Sequence, residues 1–167
     1  MKLYLLRHGD AETRAQHLPG RPGGDPDREL TGKGRKEVTQ VARLFAARGI
    51  QLQRCFASPY VRAQQTAALF LPEASQRIAP ETTPVLMPEV RASIVMDFLE
   101  GVREQEVLMV SHNPLVSELH ALLVDGDISN MHILGTSELI CIEFDLIGLG
   151  MGTSPFRITP EAQTWHA

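Results

Sequence analysis

The chain has 167 residues, 43% hydrophobic and 22% charged, enough for one domain with a buried core and too few for two of ordinary size. A formal net charge of -4 and an isoelectric point near 5.8 argue against a broad nucleic-acid or anionic-membrane footprint, so any basic site must be local. Cys55 and Cys141 lie far apart among apolar residues with no metal-like spacing, which predicts two buried, reduced thiols and a cytoplasmic setting. The apolar run at Met1–Leu6 is too short for a signal peptide, and no stretch has the length to span a bilayer.

In chain order, Leu3-Tyr4-Leu5-Leu6 reads as a short buried strand that runs straight into Arg7-His8-Gly9. Gly9 lets the backbone turn sharply or approach a ligand closely. Residues 10–30 are rich in Gly, Pro, Asp and Arg, which predicts a long irregular loop bordering whatever site the strand end forms. Thr31 is a good N-cap for a helix over about 32–48, whose buried face carries Val38, Val41, Ala42 and Phe45, with Gly49 as the stop. A short strand follows at 53–57. Ser58-Pro59 then reads as the N-cap and first-turn proline of a helix reaching about Phe70.

Four prolines interrupt residues 71–90, where a short strand is predicted near 84–87. Helix character returns from about Ala92 to Leu99. Glu106–Ser111 is apolar enough in its middle to be a central strand, and His112-Asn113-Pro114 closes it and opens a helix to about Val124. Ser137–Phe144 reads as another strand. The Gly-rich run at 148–152 with Phe156-Arg157-Ile158 suggests a closing hairpin at a sheet edge, and residues 159–167 carry no readable signal. This alternation predicts an α/β fold: one domain over residues 1–167, three layers, a mostly parallel central sheet and helices on both faces.

Three of these strands end in suggestive residues: Arg7-His8-Gly9, Ser58-Pro59 with Arg62 one turn further on, and His112-Asn113. In a parallel sheet such ends share one edge, where ligands bind. Two arginines and two histidines gathered there suit a phosphoryl group, because arginine binds phosphate oxygens bidentately and a neutral histidine is a nucleophile. Leu-Leu-Arg7-His8-Gly9, Ser58-Pro59-Tyr60-Val61-Arg62-Ala63-Gln64-Gln65-Thr66-Ala67 and Val110-Ser111-His112, in that order, closely resemble the signatures of the histidine phosphatase superfamily, which includes phosphoglycerate mutases and acid phosphatases. Arg7–Ala11 followed by Arg28-Glu29-Leu30-Thr31-Gly32, together with Val85–Glu89, looks most like the bacterial phosphohistidine phosphatases of the SixA type.

The resemblance implies a phosphoglycerate mutase-like fold and metal-free, cofactor-free hydrolysis through a phosphohistidine on His8. Arg7 and Arg62 would clamp the phosphoryl oxygens, and His112 would face them as a charged donor. Arg28 matches an extra phosphate-contacting arginine, with Arg14 and Arg21 as nearby competitors. Glu89 matches a general acid, with a helix-start glutamate as the equally weighted alternative. A backbone carbonyl is the simplest holder for the proton on the second nitrogen of His8. The short interval between Arg62 and His112 leaves little room for a roof, which implies an open pocket suited to a phosphorylated protein such as a phosphotransfer domain. A broad small-molecule phosphomonoesterase and a phospho-binding module without turnover are the alternatives. His17, His120, His132 and His166 match no motif and are expected at the surface or in packing. Asp10 with His8 and His112 fits no metal-ligand pattern.

Overall fold

The structure is a computed structural model, and it describes residues 1–13 and 24–162. Six strands form one sheet: β1 (Lys2–Arg7), β2 (Arg54–Ala57), β3 (Glu81–Thr82), β4 (Glu106–Ser111), β5 (Leu139–Glu143) and β6 (Thr153–Ile158), in the order β3-β2-β4-β1-β5-β6. The pairs β3–β2, β2–β4 and β4–β1 are parallel, while β5 and β6 add antiparallel at one edge. Four helices complete the described fold: α1 (Gly32–Ala46), α2 (Val61–Glu73), α3 (Ala92–Glu100) and α4 (Leu115–Val124).

Period-two alternation divides the strand residues between two cores. Tyr4, Leu6, Cys55, Ala57, Leu108, Val110 and Cys141 meet Val38, Val41 and Phe45 of α1 and Ala67 and Phe70 of α2. Leu3, Leu5, Phe56, Val107, Met109 and Ile142 meet Val95 and Leu99 of α3 and Leu115, Leu119 and Leu123 of α4. Because β1 and β4 are covered on both faces, they read as unbroken apolar runs rather than alternating ones. The result is a three-layer α/β arrangement, mostly parallel, with helices on both faces. Both cysteines are buried and unpaired. Among the described residues, no helix is long and apolar enough to cross a membrane.

Several boundaries differ from the sequence reading for local reasons. α2 begins at Val61 rather than beside Ser58, with Tyr60 at the cap position; the Ser58 hydroxyl meets His112 and accepts from the Tyr60 N–H just before the helix. α2 also continues past Phe70 to Glu73, with Pro72 in its last turn, where only one helical hydrogen bond is lost. The predicted strand near 84–87 is a 3-10 turn over Pro84–Leu86, because the Thr83 side chain accepts from the Val85 N–H and turns the chain; the edge strand β3 lies just before it. β5 spans Leu139–Glu143, shorter than 137–144, since Ser137 has φ +61 and cannot continue a strand. The antiparallel edge pairing of β5 with β6 is present as expected. Pro114 takes the cap position immediately before α4.

Candidate active site

Parallel registers pair Arg7 with Ser111 and Ala57 with Val110, so the first residues beyond β1, β2 and β4 lie at one edge of the sheet. Those residues are His8, Ser58 and His112. The backbone of His8 is held from both sides: its N–H donates to the Ser111 carbonyl (2.9 Å), and its carbonyl accepts from the Ser137 N–H (3.2 Å). Gly9 is needed for close approach to a helix rather than to a ligand. A Cβ there would fall 2.9 Å from Cγ2 of Val38, and one on Gly34 would strike the backbone of Asp10. The turn after β1 is thereby pressed onto the first turn of α1, whose N-cap Thr31 donates to the Asp10 carboxylate (2.6 Å) and accepts from the Gly34 N–H (3.0 Å).

The His8 side chain is 8% exposed. Its Nδ1 lies 2.7 Å from the Gly9 carbonyl oxygen, and Nε of Arg62 donates to its Nε2 at 3.2 Å. A carbonyl only accepts, so the proton belongs on Nδ1 and the lone pair on Nε2. Burial, opposed by the Gly9 carbonyl and reinforced by Arg62, Arg7 and Arg28, pushes the pKa of His8 down to about 3. The imidazole is therefore neutral at physiological pH, as a nucleophile requires.

Arg62 is 4% exposed, and each of its three guanidinium nitrogens is occupied. Besides Nε on His8, Nη1 donates to the Asp25 carbonyl (2.7 Å) and Nη2 to Asp25 Oδ2 (3.0 Å). The Thr66 hydroxyl donates to the Arg62 carbonyl (2.7 Å) and accepts from the Gly9 N–H (3.1 Å), while Gln65 Oε1 accepts from the Leu30 N–H (2.8 Å). The Gln-Thr of the middle motif thus ties the loop after β1 to the helix that carries Arg62.

Arg7 donates from Nη1 to the Leu134 carbonyl (2.7 Å), a carbonyl that also accepts from Asn113 Nδ2 (2.8 Å). Burial lowers the Arg7 pKa, and the carboxylate of Glu138 opposes that shift. Glu138 is itself buried, bonded to the Gly135 N–H (2.7 Å) and paired with His132 Nε2 (2.8 Å).

His112 is 1% exposed, with its ring centroid 5.0 Å from that of His8 and Nε2 2.8 Å from Ser58 Oγ. Its Nδ1 is buried, with no hydrogen-bond partner among the described residues. Burial first, then His8 and the arginines, pushes its pKa to about 2. With cationic surroundings and no anion beside it, His112 is neutral, and the charged state expected of it belongs to the complex with an arriving anion.

Arg28 pairs through Nη2 with Asp25 Oδ1 (2.9 Å) and donates through Nη1 to the Glu12 carbonyl (2.7 Å). It stands within electrostatic reach of both histidines. Its competitors Arg14 and Arg21 lie outside the described residues, as do His17 and His166 and much of the loop expected at 10–30. Glu89 does not join the cluster. It is exposed, and its Oε2 accepts from the Tyr60 hydroxyl at 3.4 Å, across a ring that stands edge-on to His112. Glu89 lies two residues before the Arg91 N-cap of α3, outside its first turn. His120 is a buried packing residue, and His132 is the partner of Glu138. Among the described residues, no three His, Cys, Asp or Glu side chains are grouped as a metal site requires.

Sequence reasoning missed Asp25, Ser58 and Glu138 as members of this cluster. Asp25 lay in an aperiodic loop, Ser58 read as a cap, and Glu138 sat at a strand start with no nearby motif.

Comparison with known proteins agrees with this geometry. The model of the histidine phosphatase superfamily (branch 1) matches residues 3–87. The chain is 29% identical to phosphohistidine phosphatase SixA of Escherichia coli (strain K12), over 96% of this chain and 94% of that protein. It is 33% identical to the SixA homolog of Haemophilus influenzae, over 74% of this chain and 77% of the other. The solved structure of the protein histidine phosphatase SixA complexed with tungstate superposes with a TM-score of 0.79 at 28% identity, covering 96% of this chain and 97% of that one.

Proposed function

Since the chain belongs to the histidine phosphatase superfamily, we propose that it hydrolyses phosphohistidine on proteins through a covalent intermediate on His8. The observation that carries this reading is the tautomer of His8, with the Nδ1 proton on the Gly9 carbonyl and Nε2 unprotonated, accepting from Arg62 Nε. The full-length similarity to SixA proteins supports the substrate class.

In the proposed reaction, the lone pair of His8 Nε2 attacks phosphorus as the bond from phosphorus to the substrate nitrogen breaks. The bonding electrons leave with the substrate imidazole, which departs neutral when its other nitrogen carries a proton. Arg7 and Arg62 stabilise the charge that spreads over the transferring oxygens, while Arg28 contributes to binding the phosphoryl group. His112 can take up a proton only as that charge arrives, and then donates to it. Water next attacks phosphorus, the bond to Nε2 breaks with its electrons returning to His8, and the water's protons leave with the phosphate product or pass from it to solvent. A leaving imidazole needs no acid from the protein, which fits the position of Glu89 beyond Tyr60. We read residues 1–167 as one domain working in the cytoplasm, a setting supported by the two unpaired thiols.

The test is phosphate release, in EDTA, from a phosphohistidine-bearing phosphotransfer domain, with an aryl phosphate alongside. Faster release from the phosphoprotein is expected. Release from the aryl phosphate alone would replace the protein substrate with small phosphomonoesters.

A further inference from the structure

We propose that Asp25 is a resident anion of the phosphoryl site, one that an incoming phosphoryl group displaces and that thereby sets how tightly the site accepts anions. The inference rests on the reading of Arg62 and His8 as that site. Oδ2 of Asp25 binds Arg62 Nη2 at 3.0 Å and Oδ1 binds Arg28 Nη2 at 2.9 Å, so one carboxylate bridges two guanidinium groups. A phosphate spans arginines with the same fork of two oxygens. Arg62 commits three of its five N–H donors, Nε to His8 and one each from Nη1 and Nη2 to Asp25, so the face it would turn to a phosphoryl group already holds an anion.

The contacts to Asp25 must yield for an anion to bind, and the Nε bond to His8 yields later, when Nε2 attacks phosphorus. Asp25–Asp27 is a single 3-10 turn with no buried residue. Among the described residues, the first buried side chain after the turn is Leu30, which is 5% exposed, bonds Gln65 and forms a bridge with Ala11. Segments with few buried contacts open at the least cost. His8, by contrast, is bonded along its backbone on both sides. Moving the turn frees Nη1 and Nη2 of Arg62 and Nη2 of Arg28 together.

Competition and positioning make opposite predictions for this residue. If Asp25 competes, removing its charge strengthens anion binding. If it only orients Arg62, removing it weakens binding. The experiment is calorimetric titration of the intact protein with inorganic phosphate, at fixed pH and ionic strength. Asp25→Asn and Asp25→Ser are each expected to bind phosphate about tenfold more tightly than the wild type, the order expected for deleting one like charge at this range. Asp25→Glu, which keeps the charge, is expected to remain weak. Equal or weaker binding by both neutral variants overturns the proposal. Adding Arg62→Ala to Asp25→Asn should erase the gain. If phosphate binds as well without Arg62, or binds to none of these proteins, the phosphoryl-site reading falls and the role of Asp25 falls with it.

Discussion

His8, Arg62 and His112 stand at strand ends or in the first turn of a helix and are 8%, 4% and 1% exposed, whereas the side chains of Asp25 and Arg28 are 27% and 20% exposed and belong to a surface turn. The first group is fixed by bonds that no ligand is needed to complete: a carbonyl on Nδ1 of His8, a hydroxyl on Nε2 of His112, and the Thr66 bridge behind Arg62. The second is fixed mainly by the charges it meets, Arg62 above all. The difference assigns chemistry to the wall and access to the turn. Preorganised groups lower a barrier because they need not rearrange during reaction, while a charge-held turn can exchange one anion for another.

Substitutions on the wall should therefore act on kcat and those on the turn on KM. The largest effect is expected for His8→Ala, which should lower turnover about 10⁵-fold or more, as loss of a nucleophile does. Arg62→Ala should raise the barrier by about 3 kcal/mol, seen as a fall in kcat, and Arg62→Lys should recover little of it because a point charge cannot copy the fork. Thr66→Val strands the buried Gly9 N–H and should cost about 1–3 kcal/mol in a denaturant melt, with a smaller drop in kcat. Arg28→Ala should raise KM about tenfold with kcat nearly kept. A fall in kcat without a change in KM would move Arg28 to the wall. The smallest effect is expected for Glu89→Gln: a few-fold loss on aryl phosphates at most and less on phosphohistidine, by the measure of an exposed charge. Equal losses on both substrates would restore Glu89 as an acid.

The buried histidines give the same comparison a pH axis. His8 and His112 titrate near 3 and 2 in the folded chain, against an ordinary value of 6.5, so the unfolded chain takes up protons first as pH falls. Their contribution to stability is full above pH 6.5 and is lost progressively as pH drops toward 3. Melting temperature should fall over that window. Inorganic phosphate should lessen the fall, because a bound anion favours the protonated form of His112.

Wall and turn also differed in how far the sequence revealed them. Leu3–Arg7 and Glu106–Ser111 announce doubly covered strands by unbroken apolar runs, and parallel pairing then brings His8, Arg62 and His112 together. The neutral state of His112 was not legible, since it depends on burial and on charges supplied by three other segments. Asp25 and Glu138 were equally hidden. Asp25 owes its place to a long-range ion pair with Arg62, and Glu138 is held by Gly135 and His132 with its charge acting on Arg7 across the site; no local pattern encodes either role. Ser58 shows a different failure: its hydroxyl makes the local contact to the Tyr60 N–H that its residue type favours, and the tertiary contact to His112 on the same oxygen had no local sign.

The most direct test of the central claim is acid-free rapid quench of the wild-type protein with a labelled phosphohistidine domain, followed by peptide mass spectrometry. The account predicts a single phosphoryl group on the peptide containing His8, stable in base and lost in acid, and absent from His8→Ala. Turnover with no such adduct, or an adduct on another residue, would contradict it.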